Sequence, residues 1–277
     1  MSRLLVAEPH LAAAPRTSSR SPWRRAGAIL VTLAPAFGVL GFLAAWQLLV
    51  VIFDVRTFVL PSPWRILGEI EASPGFYVRN ARATVWEAFL GFTIAAIAGT
   101  AMAAAMAQWR FLDRAVLPVA VLVQVTPIIA YAPATVLWLG FGLKPIIVMT
   151  SMVCFVPFVI NGVAGMRSVD LNLLELARSV DASRREIFFR LRLPSALPAL
   201  FSASRIAVGL ALIGAVLGEF FAGTTHGLGH AIKVAQSGLI LQLWACVYVL
   251  SLLGGAATLL VAALEHRVLH WHSSQRH

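Results

Sequence analysis

A chain of 277 residues that is 59% hydrophobic and only 12% charged cannot be a soluble globular domain, where about 25% of residues are charged. Only an integral membrane protein fits. The formal net charge of +10 does not mark a nucleic-acid binder, because the arginines gather between apolar runs, as they do when they orient a membrane protein. Cys154 and Cys246 fall inside apolar segments and read as small buried hydrophobes, with no disulfide frame and no metal site.

Residues 1–26 are rich in Ser, Pro and Arg without apolar periodicity and are expected to form a disordered cytoplasmic tail. Arg24-Arg25 ahead of an apolar run mimics a twin-arginine export signal, but that run exceeds a signal core of about 7–15 residues. An uncleaved tail is the better reading. Residues 27–277 then form an all-α, polytopic membrane domain. Six segments approach the roughly 20 apolar residues of a bilayer crossing: 27–53, 83–107, 115–139, 145–166, 199–218 and 239–264.

The second span carries Gly91, Ala95, Gly99, Ala103 and Ala107, a ridge of small residues that admits another helix closely. Glu87 is expected about one turn inside it. In the third span Gln124, Tyr131, Thr135 and Trp138 fall on a stripe about 60° wide at 100° per residue. Pro127 and Pro133 remove backbone donors beside this stripe and predict a kink. The stripe reads either as pore lining or as helix-to-helix hydrogen bonding by Gln124 and Thr135, with Trp138 anchored at the interface. Asn161 in the fourth span is a further pathway candidate. The fifth span has Arg205 near its start, placed to snorkel, and a second small ridge at Gly214 and Gly218. Glu219 closes it, and a buried acid there needs a partner or a water path.

Between the fourth and fifth spans lies ELARSVDASRREIFFRLRLPSALP, residues 175–198. Asp170 is placed to cap a helix from Leu171 that turns Leu171, Leu174, Ala177 and, at the edge, Arg178 to one side. Val180-Asp181-Ala182 breaks that pattern. Ser183-Arg184-Arg185-Glu186 is a capping box opening a second helix, with Ile187, Phe188 and Leu191 as its apolar stripe and Pro194 at its end. Two short amphipathic helices joined by a turn make either a docking surface or a pair lying on anionic lipid. Fifteen basic residues lie on the side of the tail and this loop, against six on the other. Both termini are therefore expected in the cytoplasm.

The loop resembles the cytoplasmic EAA loop of permease subunits in binding-protein-dependent ABC importers. Glu175-Leu176-Ala177 stands for Glu-Ala-Ala, Asp181 for the turn glycine, and Leu191-Arg192-Leu193-Pro194 for Ile-x-Leu-Pro. Leu176 and Asp181 depart from that pattern, and Asp is among the few residues that tolerate a left-handed turn. From about Leu60 to Trp271, "LPSPWRILGEI", "TPIIAYAPATVLWLGFGLKP", "NGVAGMRSVD", "GEFFAGTTHGLGHAI" and "LEHRVLHW" look like the nitrate/sulfonate/taurine-type permeases. "WEAFLGF", "GEF" and the "LEHRVLHW" ending look closer to the branch linked to thiamine-precursor pyrimidines or riboflavin, with sulfonate, taurine and nitrate next.

The resemblance implies a type I importer permease in the bacterial inner membrane. Its partners would be a second permease copy, two ABC ATPase subunits, an extracytoplasmic solute-binding protein and the lipid bilayer, with no nucleic acid. Loop residues about 170–194, with Glu175, Ala177, Asp181, Ser183, Glu186, Leu193 and Pro194, would couple to the ATPase. Gln124, Pro127, Tyr131, Thr135, Trp138 and Asn161 would line the path, and Glu219 matches a family position in the external gate region, with Glu87 a companion candidate. No phosphate cradle of the G-x-x-x-x-G-K-[ST] kind occurs, so ATP and Mg belong to the partner, and this chain is expected to bind no cofactor and catalyse nothing. His266, His270 and His272 read as a solvated tail. The rival function is an ion-coupled secondary transporter, but such folds often show inverted repeats, and no internal duplication is evident.

Overall fold

The structure is a computed structural model that describes residues 22–269, with side chains described from Phe37 onward. Residues 1–21 of the expected tail, and His270 and His272, lie outside that range. Two units separate between Asp54 and Val55. The first contains α1 (Pro22–Ile52); Pro22–Ala26, assigned to the tail from sequence, are its first turns. The second unit contains α2 (Pro63–Ala72), α3 (Pro74–Gln108), α4 (Arg110–Val125), α5 (Ile128–Leu139), α6 (Leu143–Arg167), α7 (Leu171–Ser179), α8 (Arg184–Ile187), α9 (Leu193–Phe221), α10 (Leu228–Ala235) and α11 (Ile240–Val268).

Among the described residues four helical runs are long and apolar enough to cross a membrane: α3, α6, Arg184–Phe221 and α11. The α4–α5 pair makes a fifth if counted as one bent span. The first of the six expected spans, 27–53, falls partly on residues of α1 whose side chains lie outside the described range. In α1 the described apolar stretch, Phe37–Ile52, is shorter than a crossing, and the third span is broken: α4 and α5 meet at 102°. The break sits at Thr126, which is extended, and Pro127, which has no N–H for the next helical bond.

The core of the second unit is α6 between α3 and α9. The buried face of α3 recurs at three- and four-residue steps, from Tyr77 and Asn80 through Thr84, Glu87, Gly91, Ala95, Gly99 and Ala103 to Met106. Both small ridges face α6 rather than the outside. A Cβ on Gly99 would stand 2.6 Å from the Phe158 Cβ, one on Gly214 2.7 Å from the Thr150 Cα, and one on Gly218 2.8 Å from the Ile146 Cα. Backbones in lipid associate by such close packing because tails offer no hydrophobic contrast. Cys154 and Cys246 are buried, and the Cys154 thiol points at the Ala207 carbonyl, 3.3 Å away.

At one end of this bundle, arginines close the frayed end of α3. The last carbonyls of a helix lack intrahelical donors. Arg167 donates to the Met106 carbonyl (3.0 Å) and pairs with Asp113 (3.0 Å), while Arg192 donates to the Ala107 carbonyl (2.9 Å). Arg205 does not run free to an interface; it pairs with Glu265 of α11 at 2.6 Å.

Candidate functional site

Two constructions stand at opposite ends of the second unit. The first is the loop between α6 and α9. Asp170 accepts the Asn172 N–H at 2.9 Å and starts α7. Asp181 then turns the chain with φ 54°, the left-handed region that costs most L-residues about 1–2 kcal/mol. Ser183 opens α8: its Oγ accepts the Glu186 N–H (3.2 Å), and its own N–H donates back to the Glu186 carboxylate (2.9 Å). That backbone N–H first, and then the Ser183 hydroxyl, which donates to the same carboxylate at 2.9 Å, hold the exposed Glu186 carboxyl below its usual range. The cap is therefore present above the ordinary carboxylate pKa and is lost only as pH falls through the lowered one.

Leu174 and Ala177 are half-buried, while Leu173, Leu176 and Val180 form an exposed apolar row at three- and four-residue steps. The sequence reading placed Leu174 and Ala177 on the inner side correctly, but Leu171, expected there too, is 73% exposed, and the outer row was missed. Glu175 is exposed beside that row. A cleft of about 540 Å³ between α7 and α8 is lined by Ala177, Asp181, Glu186 and Arg190. Pro194 does not end the second helix. A π turn at Phe188–Arg192 carries α8 directly into α9, so Arg184–Phe221 is one run of 38 residues. Pro194 sits in the first turn of α9, where a missing N–H is tolerated, and Leu193 packs on the cluster around Met106 and Met166.

The second construction is a buried polar knot at the far end of that run. Glu219, 1% exposed, accepts the Thr84 hydroxyl at 2.6 Å and the N–H groups of Gly229 (2.5 Å) and His230 (3.2 Å). Thr84 Oγ accepts the Leu228 N–H at 2.8 Å, and Asn80 Oδ1 accepts the Gly227 N–H at 2.9 Å. The four amides that begin α10, which no helix can satisfy internally, are thus all met by side chains from α3 and α9. The carboxylate also suits the positive end of the helix. Gly227 has φ 115°, and a Cβ there would meet the Glu219 carboxylate; a Cβ on Gly229 would come 2.5 Å from the Val216 carbonyl.

The helix begins at Pro74, ahead of the expected span, and Glu87 lies on its buried face, 7% exposed. Its carboxyl lies beside that of Glu219, and its Oε2 is buried without a hydrogen-bond partner. Glu87 and Glu219 are therefore brought together. Asn80 and Thr84 were missed from sequence, although stepping the small ridge back along α3 past Glu87 reaches both.

The third-span stripe does not survive as one face. Gln124 lies exposed on α4, while Tyr131, Thr135 and Trp138 lie on α5 beyond the 102° bend. Thr135 is buried and donates to the Ala132 carbonyl (2.9 Å), Trp138 is 77% exposed, and Asn161 donates to the Pro157 carbonyl one turn back (2.9 Å). Among the described residues no group of three or more His, Cys, Asp or Glu could hold a metal ion.

The sequence profile of the family "Binding-protein-dependent transport system inner membrane component" matches residues 91–270. The formylaminopyrimidine transport permease protein of Halalkalibacterium halodurans is 30% identical over 245 residues, covering 88% of this chain and 97% of that protein. The riboflavin transport system permease protein of Chloroflexus aurantiacus is 32% identical over 235 residues, covering 84% and 87%. The taurine transport system permease protein of Escherichia coli is 27% identical over 268 residues, covering 92% and 95%. In fold, the chain is similar to the MetNI methionine ABC transporter in an inward facing conformation, with a TM-score of 0.62 at 20% identity over 72% of this chain and 98% of that one. Family profile, relatives and fold agree: the chain belongs to the binding-protein-dependent transport system inner membrane components, as a non-catalytic, multi-pass permease subunit of an ABC importer.

Proposed function

We propose that this permease passes a small heteroaromatic solute, a pyrimidine precursor of thiamine or a riboflavin-like ring, and that its 38-residue run from the loop to Glu219 is the transmission. Its relatives named for formylaminopyrimidine and riboflavin support the solute class, ahead of sulfonate or taurine. The continuous helix carries the mechanism. From Arg184 to Phe221 it spans roughly 57 Å at 1.5 Å per residue, so a push on α8 reaches Glu219 without a loose joint. Glu219 in turn holds the start of α10. The excess of basic residues on the loop side supports a cytoplasmic position for that loop and both termini, with α10 on the outer side.

In this reading two ATPase copies seat against the exposed row Leu173, Leu176 and Val180 and the capped start of α8, with Glu175 beside them. A solute-binding protein delivers at the α10 end, and a second copy of the chain completes the path. Glu219 and Glu87, with Thr84 and Asn80, act as the gate latch. The break at Thr126–Pro127 supports a path along α4 and α5, because irregular backbone at bilayer depth persists only where it is buried in protein or lines a water-filled cavity. Gln124 and Tyr131 flank that break, with Thr135, Trp138 and Asn161 further along.

The test is uptake in cells lacking the chain, offered labelled hydroxymethylpyrimidine, riboflavin, taurine, an alkanesulfonate and nitrate. Loss of pyrimidine or riboflavin uptake is expected, restored by the intact chain but not by one with Glu175 replaced and residues 183–186 deleted. Loss of sulfonate, taurine or nitrate uptake alone overturns the solute class, and rescue by the loop variant overturns the transmission.

A further inference from the structure

A groove of about 690 Å³ runs beside the latch, lined by Arg79, Arg82, Val85, Trp86 and Phe89 of α3 and by His226 of the turn before α10. Its chemistry is graded along the helix axis. Arg79 and Arg82 sit in the first turns of α3, and no carboxylate among the described residues lies within ion-pair distance of either. One to two turns deeper, Trp86 and Phe89 stack at 6.0 Å and 25°, and both are more than half exposed.

Helix α3 has 35 residues, roughly 52 Å of helix against a hydrocarbon core of about 30 Å. Its first turns therefore stand in the headgroup layer while Phe89, about 10 Å beyond Arg82, enters the acyl region. Unpaired guanidiniums in a headgroup layer recruit phosphate, which they bind through paired N–H donors. A flat apolar trough leading from them into the bilayer suits an acyl chain, and a tryptophan marks the boundary between the two zones. A soluble anion would use the arginines but not the trough.

We propose that this groove binds an anionic phospholipid of the adjoining leaflet, its phosphate on Arg79 and Arg82 beside His226 and a chain along Trp86 and Phe89. The site is tied to the latch by adjacency in the chain. Asn80, between the two arginines, accepts the Gly227 N–H, and His226 immediately precedes Gly227. The bound lipid buttresses the turn that begins α10.

The full chain is reconstituted in vesicles of phosphatidylcholine carrying equal mole fractions of brominated phosphatidylglycerol or brominated phosphatidylcholine. The Trp86 fluorescence is isolated by difference from the Trp86→Phe chain. At about fivefold per arginine, quenching by the anionic lipid is expected to reflect a preference of tenfold or more. The preference should vanish in the Arg79→Gln/Arg82→Gln chain, persist in Arg79→Lys/Arg82→Lys, and resist added inorganic phosphate. Hydrogen exchange of the α6 amides checks that the variants fold. Equal quenching by both lipids, an unchanged preference in the glutamine pair, displacement by phosphate, or no quenching because a second copy covers the groove would each overturn the proposal.

Discussion

Replacing Thr84 by valine keeps the shape of a fully buried side chain and removes only its hydroxyl. That oxygen makes two interhelical bonds, to Glu219 at 2.6 Å and from the Leu228 N–H at 2.8 Å. Losing a hydrogen bond to a charged group costs about 1.5–3 kcal/mol, and stranding a buried N–H costs about 1–3 kcal/mol. The lower ends together give about 2.5 kcal/mol, and each 1.4 kcal/mol is a factor of ten. Exchange of the Gly227–His230 amides in the membrane-reconstituted chain should therefore quicken by roughly sixtyfold. Amides in the middle of α6 should keep their protection, since that helix does not touch the hydroxyl. Thr84→Ser, which restores the oxygen, should exchange close to the parent. Unchanged exchange at Gly227–His230 in the valine chain would refute the assignment of these bonds as the hold on α10.

Ser183→Ala removes one side of the capping box and should weaken the start of α8 by about 1 kcal/mol, seen as reduced co-purification of the ATPase with normal membrane insertion. Asp181→Gly should preserve that co-purification, whereas Asp181→Val, forced to φ 54°, should lose it; equal behaviour of the two would show that the turn does not matter. Gly99→Leu or Gly214→Leu should drive α3 or α9 off α6 and leave little folded protein after mild detergent extraction, while leucine at Gly209, where a Cβ meets nothing within 4 Å, should be tolerated. Gly227→Ala places a methyl against the Glu219 carboxylate and should reproduce the exchange phenotype of Thr84→Val.

Local signals in the sequence proved readable wherever a residue type has one physical job. Asp170 and Ser183 with Glu186 cap helices because their oxygens reach the next amides, and the aspartate at 181 marked the left-handed turn. Gly91, Ala95 and Gly99 marked a close helix contact, but only the folded chain says that the partner is α6. The third span misled because a helical wheel assumes continuity, and Pro127 ends α4 instead of merely bending it. Pro194 misled in the opposite sense, since a π turn delivers the chain to a first-turn position where proline is welcome. The knot at Glu219 was half visible. Its acids stand out in an apolar chain, while its backbone donors come from a turn 8 to 11 residues later that no side-chain pattern announces.

The central claim is that motion at the ATPase-facing loop reaches α10 through the α8–α9 run. Spin labels at Gly75, near the start of α3, and Lys233 on α10, in the chain reconstituted with its co-purifying ATPase, test it most directly. The account predicts that ATP shifts this distance in the intact chain and leaves it unmoved once residues 183–186 are deleted. A distance that ATP never changes while solute is still transported would contradict it.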